Sequence, residues 1–321
     1  MQNIPDFLSP FLDVPEMQRL KDVGMNCGCE YTSFPLFKNL KKYSRYEHSL
    51  GVALIVWQFT EDMPQTLSAL FHDISTPAFA HSVDFLHGDY LNQEYTEQKT
   101  EATIKGSCEI CAQLEKLNIS ADDVKDYHRY PIADNDSPRL SADRLEYTLG
   151  NSYRYGIRSR DDLTRYFRDI TVACTEDGMP ELCFNTPELA AGFTEAALDC
   201  SKIYVSDEDR YAMQILSEIL KVGIELEALS EDDLYSVESS VINKLLSNGE
   251  TETLWLDFRK MHEMVPVEDL TTRGSRIILA KKRYITPYVV GHGRVTEIYP
   301  EIQKKITAFL TADQNYPICA I

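Results

Sequence analysis

The longest strongly apolar run of the chain, Leu50 to Phe59, has ten residues and presents apolar side chains on nearly all sides. A helix apolar all round must be buried, in a protein core or in a membrane. No window approaches the ~18 apolar residues that a membrane span requires, so the run predicts a core helix following Ser49. The pattern around it is also helical. Ser120, Ser141, Ser159, Ser206 and Ser230 each precede a helical stretch. Asp123, Asp162, Asp209 and Asp233 stand three residues after four of them, the spacing of a capping box. In the Ser206 stretch, Met213, Leu216, Leu220 and Ile224 recur on one face. The Ser230 helix is expected to stop at Asn248-Gly249.

After about Val265 the texture changes. Arg276 to Leu279 and Arg283 to Val290 are rich in β-branched and aromatic residues and predict strands. Pro287 and the Gly291-His292-Gly293 turn interrupt them, and a helix from Pro300 to Leu310 follows. The expected architecture is mainly α. Residues 1–265 form a helical body and 266–321 a small mixed α/β appendage. The apolar fraction of 43% is enough for a packed core and excludes disorder as the main state.

Acidic residues outnumber basic ones 51 to 32, for a net charge of -19. Such a surface repels nucleic acid and anionic lipid at long range, so neither is expected as a partner. A small phosphorylated substrate needs only one locally basic pocket. Lys38, Lys41, Lys42 and Arg45 form such a cluster, although Lys41 and Lys42 read equally well as a solvated face. The N-terminal MQNIPDFLSPFLDVPEM lacks a basic segment followed by an apolar one. With eight cysteines and no secretory signal, a reducing, cytoplasmic setting with free thiols is expected. Cys27-Gly-Cys29 and Cys108-Glu-Ile-Cys111 are close pairs. The second sits in a helical stretch with no turn glycine between its thiols, which disfavours a four-sulfur zinc site.

The chemistry concentrates in a few of the seven histidines. His48 lies in RYEHSLGVA; His72, followed at once by Asp73, and His81 lie in LFHDISTPAFAHS; Asp143 lies about seventy residues on, in LSADRLEYTLG. A divalent metal of intermediate hardness accepts imidazole nitrogen and carboxylate oxygen together. A His-Asp pair at one helix end, a histidine on the preceding helix and an aspartate on a later one can close a site inside a helical bundle. Each piece alone has a plainer reading. A buried histidine is often a satisfied core group, and Asp143 after Ser141 also suits a first-turn acid favoured by the helix dipole.

Together these segments resemble the HD-domain phosphohydrolase superfamily, whose pattern is His, His-Asp, Asp. FLDVPEMQRLKDVG, SRYEHSLGVA, ALFHDISTPAFAHSVD and ADRLEYTLGNSYRYG are similar, in order, to the branch containing deoxynucleoside triphosphate triphosphohydrolases. The resemblance covers residues 12–160 and fades toward 265. It implies an HD-type helical bundle with His48, His72, Asp73 and Asp143 as ligands of one divalent metal ion. Manganese, iron, cobalt, nickel or magnesium suit that donor set; zinc usually takes fewer ligands.

The same resemblance implies that Arg45 contacts phosphate, that Arg144 takes the place of a lysine reaching the outer phosphates, and that Tyr147 packs against the sugar. His81 and Asp84 match a histidine and an aspartate near the phosphates, and His81 is the best placed proton donor to a leaving oxygen. The bland alternatives are a salt bridge for Arg45, an exposed helix residue for Arg144, a core tyrosine for Tyr147 and a helix-end histidine for His81. Departures stand beside the matches. Thr76 and Thr96-Glu97 occupy positions where the branch carries histidines, Met25 replaces a sugar-reading glutamine, and Asn151 replaces an acid. His87 reads first as a surface-loop residue and only second as a substitute, and Glu97 as an alternative acid or base has an equally plain structural reading. The implied activity is metal-dependent hydrolysis of a phosphate ester or anhydride of a nucleotide or related metabolite by a homo-oligomer. The competing expectation is a non-catalytic, metal-containing module that binds a nucleotide or protein partner for regulation.

Overall fold

The computed structural model describes residues 4–93 and 95–321. The chain is mainly helical, 55% of it in helices, with a few short strands. The elements that build the site are α1 (Arg45–Thr60), α2 (Met63–Phe71), α3 (His81–Leu86) and α4 (Ala142–Arg154). Behind them lie β1 (Ile170–Cys174), β2 (Pro180–Phe184), α5 (Pro187–Ile203) and α6 (Asp207–Glu225). The C-terminal part holds β3 (Met264–Pro266), β4 (Tyr288–Val289), β5 (Gly293–Arg294), α7 (Pro300–Thr311) and β6 (Ile318–Ala320).

The apolar run is the centre of α1, and it is buried as expected. Ala53 packs into one apolar cluster with Leu67, Leu70 and Phe71 of α2. Val52, Ile55 and Val56 pack into another with Ala142 and Leu145 of α4 and Phe193 of α5. The helix starts earlier than Ser49, however. Ser44 is the cap: its hydroxyl accepts from the Glu47 backbone at 3.3 Å, and the Glu47 carboxylate accepts from the Ser44 backbone at 2.9 Å. This capping box places Arg45 and His48 in the first turn of α1 and leaves Ser49 buried inside it. The helix α2 follows directly, capped by Asp62, whose carboxylate accepts from the Gln65 backbone at 2.9 Å.

Ser141, Ser159 and Ser206 cap their helices as expected. On α6, Met213, Leu216 and Leu220 are buried, with Ile224 partly so, in a third cluster that includes Phe79, Trp255 and Phe258. The Ser230 stretch departs from expectation. It is a short 3-10 turn, Glu231–Tyr235, followed by a separate helix, Glu238–Leu246. Asn248 starts the next helix rather than ending this one. Its side chain accepts from the backbone of Glu250 at 3.0 Å and Thr251 at 3.4 Å, the N-cap role that asparagine fills best.

β1 and β2 form an antiparallel hairpin, Ile170 opposite Phe184, inside the stretch expected to be helical. Its sequence carries a signal: β-branched residues before Asp177-Gly178, with Gly178 at φ +78°. β2 pairs in parallel with β4, and β4 pairs with β5 across the Gly291-His292-Gly293 turn. β3 pairs with β6, Met264 opposite Ala320. The strands expected over 276–279 and 283–287 are absent apart from an Arg276 to Ile318 bridge. Pro287 has no N–H to give a ladder, and the Thr286 N–H goes instead to the Pro138 carbonyl at 2.8 Å.

Candidate metal centre

Four elements deliver the site. The first turn of α1 supplies Arg45 and His48, the end of α2 supplies His72 and then Asp73, α3 supplies His81, and the first turn of α4 supplies Asp143. The Nε2 atoms of His48 and His72 stand 3.1 Å apart. Asp143 Oδ1 is 3.0 Å from His48 Nε2 and 3.8 Å from His72 Nε2. Asp73 Oδ2 is 3.8 Å from His48 Nε2 and 3.5 Å from His72 Nε2. His48, His72 and Asp73 thus come together as one buried group of potential metal ligands, and Asp143 borders it through the two Nε2 atoms.

The far side of each ring fixes its tautomer. His72 Nδ1 is 2.7 Å from the Ala69 carbonyl, which can only accept, so Nδ1 carries the proton. His48 Nδ1 lies 2.5 Å from Glu146 Oε2. Both rings therefore turn Nε2 toward the other and toward two carboxylates. Facing lone pairs with two acids beside them repel unless a cation or a proton lies between. This donor set fits a divalent ion. Without one, a proton takes its place: burial would lower the His48 pKa, but hydrogen bonds with Asp143 and Glu146 hold it up at about 10. Asp143 is pushed the other way, down to about 2: burial opposes its ionisation, but the hydrogen bond from His48 and the charges of His48, His72 and Arg144 together overcome it.

A supporting layer holds these groups. Glu146, one helical turn after Asp143, also accepts from the Tyr43 hydroxyl. It reaches His48 because Gly51 has no side chain; a Cβ there would sit 2.7 Å from Glu146 Oε1. Asp73 accepts from Arg45 Nη1 at 2.9 Å and from the Thr76 hydroxyl at 2.7 Å. Burial opposes ionisation of Asp73, yet Arg45, His72 and His48 hold its carboxyl far below the usual carboxylate range. The turn after Asp73 is clamped by Arg19, which donates to the carbonyls of Ile74 at 3.0 Å and Thr76 at 2.8 Å. Glu146 and Arg19 were not expected as site residues. Glu146 has a legible signal, its i+3 spacing from Asp143; Arg19 has none.

The remaining candidates take these places. Arg45 is buried on Asp73, so its salt-bridge alternative is present, while its Nε is buried without a partner. Arg144 Nη1 pairs with Asp134 at 3.2 Å and donates to Asn135 at 2.8 Å. Tyr147 is half-buried beside Tyr204, and burial pushes its hydroxyl up to about 12. His81 Nδ1 bonds Asp84 Oδ2 at 2.7 Å, which leaves Nε2 available. Burial, with Arg45 and Arg283 nearby, lowers the His81 pKa against the pull of Asp84. The turn before His81 is strained, with Phe79 and Ala80 at φ 63° and 43°.

His87 stays out of the cluster, stacked on Tyr95 at 3.8 Å. Glu97 is taken up by His128 at 3.2 Å, whose other nitrogen meets Asp134 at 2.8 Å. Asn151 donates to the Tyr204 hydroxyl at 2.6 Å. Met25 donates its N–H to the Tyr43 carbonyl at 2.9 Å. All eight cysteines are free thiols.

No protein-family model matches the chain. It is 25% identical over 255 residues to the uncharacterized protein YdhJ of Bacillus subtilis, covering 79% of this chain and 75% of that one. It is 24% identical over 251 residues to the metal-dependent phosphohydrolase cns2 of Cordyceps militaris, covering 77% of this chain and 65% of that one. A deoxynucleoside triphosphate triphosphohydrolase, the SAMHD1 homolog of Dictyostelium discoideum, is 22% identical over 258 residues. The match covers 71% of this chain and 46% of that protein. The chain is related to the HD-domain phosphohydrolases. A solved structure of a hypothetical protein from Aquifex aeolicus shares its fold, with a TM-score of 0.66 at 20% identity over 94% of this chain and 89% of that one. The phosphohydrolase relatives and the His48, His72, Asp73 cluster together support an HD-type hydrolase with a divalent metal. Among the described residues no helix is long and apolar enough to cross a membrane.

Proposed function

We propose that this chain is a metal-dependent phosphohydrolase acting on a nucleotide or a related small phosphorylated metabolite. The observation that carries this reading is the 3.1 Å approach of His48 and His72 through Nε2, each with its Nδ1 engaged elsewhere. His48, His72, Asp73 and Asp143 would hold one divalent ion. When bound, such an ion lowers the pKa of a water and offsets charge on a phosphoryl group. Arg45, paired with Asp73 but with its Nε unpartnered, is the cation proposed to meet a phosphate oxygen. Arg144 adds positive charge beside Asp143, and Tyr147 lies one turn along the same helix for the organic part of the substrate. His81, held by Asp84 through Nδ1, is the group proposed to transfer a proton at the leaving oxygen through Nε2. The named substrate of the Dictyostelium relative supports a nucleotide.

The protein loaded with manganese or cobalt and offered a nucleotide panel should release phosphate or polyphosphate. Metal content should be about one equivalent in wild type and near zero in His72→Ala. No turnover of any nucleotide by metal-replete protein would overturn the reading. A second reading, a regulatory module without catalysis, draws on Thr76, whose hydroxyl holds Asp73 and exchanges no proton near neutrality. It is distinguished by ligand-induced thermal stabilisation without product. The same proposal carries a cytoplasmic homo-oligomer.

A further inference from the structure

Three arginines approach the pocket, and two of them are already neutralised. Arg45 pairs with Asp73 at 2.9 Å and Arg144 with Asp134 at 3.2 Å. Arg283 is half-buried, and among the described residues it meets no carboxylate. Its partner is the neutral side-chain amide of Gln93. The Arg283 charge reaches the buried carboxyl of Asp209 and favours ionisation there, without an ion pair between them among the described residues. A guanidinium is costly to bury in part unless something anionic meets it.

The backbone that presents Arg283 is fixed from several sides. Lys281 donates to the Asn92 carbonyl at 2.6 Å, in the loop that follows α3. The Thr286 N–H donates to the Pro138 carbonyl at 2.8 Å, in the loop that precedes α4. That second loop also supplies the Arg144 partners, Asn135 Oδ1 at 2.8 Å and the Arg139 carbonyl at 3.3 Å. From behind, Lys282 donates to the Leu310 carbonyl at the end of α7 at 2.9 Å, and the Ala280 N–H to Gln314 at 3.1 Å. Ile285 is buried in the same apolar cluster as Val56 and Leu145. Residues 280–286 therefore form a strap from the His81 side of the pocket to the Asp143 side, with Arg283 between.

We propose that Arg283 is a substrate-binding residue, which the strap lays beside His81 and Tyr147 to take a phosphate other than the one being cleaved. This rests on the phosphohydrolase reading. The electrostatics agree with the placement: the Arg283 charge is close enough to disfavour protonation of His81 and to ease ionisation of the Tyr147 hydroxyl. Because Arg45 and Arg144 already carry acids, Arg283 brings the uncompensated charge that a substrate with more than one phosphate requires.

The test is calorimetry on the full chain carrying one equivalent of manganese, with pyrophosphate and with orthophosphate as probes. Arg283→Ala should weaken pyrophosphate about tenfold and leave orthophosphate within about twofold, and Arg283→Lys should recover part of the loss. Metal content should match wild type in both variants, since Arg283 touches none of the candidate metal ligands. Pyrophosphate binding by Arg283→Ala within about twofold of wild type would overturn this proposal alone, as would an equal loss for both probes. Wild-type protein that holds its metal, binds neither probe and turns over no nucleotide would overturn the phosphohydrolase reading, and this proposal with it.

Discussion

The Thr76 hydroxyl donates to Asp73 Oδ1 at 2.7 Å, three residues after the carboxylate it holds. In the resembled branch that position carries a histidine, so the change replaces a proton-exchanging group with a fixed donor. The donor now orients a candidate ligand, and outer groups of this kind typically matter tenfold or more for metal affinity. Thr76→Val, which keeps the shape and removes the donor, should lower manganese affinity about tenfold. Thr76→Ser should stay near wild type. Metal titration followed by calorimetry decides it, and equal affinity for the valine and serine variants would refute the role.

Glu146 supports His48 from the opposite side, and it depends on the missing side chain at Gly51. Glu146→Gln keeps an acceptor but loses the charge, and should cost about tenfold in metal affinity. Gly51→Ala would place a Cβ 2.7 Å from Glu146 Oε1 and push the carboxylate off the ring. Its metal affinity should fall with that of Glu146→Gln. The double variant should be little worse than either alone, because both act through the same contact. Additive losses in the double-variant cycle would show that Gly51 acts some other way.

Arg19 ties the N-terminal segment to the turn after Asp73, with bonds to Ile74, to Thr76 and to the Ser236 carbonyl at 3.1 Å. Burial lowers its pKa to about 10, so it stays charged through the neutral range. Arg19→Met keeps the apolar stem and leaves these carbonyls without their donor. It should cost about 3 kcal/mol of stability and weaken metal binding as the turn loosens. Denaturant melts with and without manganese measure both effects; unchanged stability would rule out the clamp.

These relationships mark what the sequence made legible. His48, His72 and Asp73 come together, and they were legible because the chain has only seven histidines on which such a site could be built. The burial of α1 was legible from its composition, since a helix apolar all round has to be enclosed. The supporting groups were harder to see. Arg19 acts through backbone carbonyls, a chemistry open to any arginine within reach. Ser44, with Glu47 at the third position beyond it, is a stronger capping signal than Ser49, which has no acid at that spacing. Asn248-Gly249 suits a helix end and a helix start equally, and the helix that follows decided between them. The β1–β2 hairpin was hidden by the helical texture on both sides. The segment over 283–287 has strand composition, but its hydrogen bonds go to the loop at Pro138.

Away from the metal centre, Asp209 gives the pH dependence its sign. Its carboxylate faces Cys29 Sγ at 3.6 Å, and burial pushes its pKa up to about 8 against the opposing pull of the Cys29 hydrogen bond and the Arg283 charge. A carboxyl whose folded pKa lies above its unfolded value, ~4, favours the folded state at low pH, where both forms are protonated. That contribution is lost as pH rises from about 4 to 8, because the unfolded chain ionises and the folded one does not. Asp209→Asn removes the penalty. The variant should melt several degrees above wild type at pH 8, with the difference shrinking toward pH 5. Melting curves across that range check it, and a gap between the two proteins that stays constant with pH would show that Asp209 is ionised in the fold.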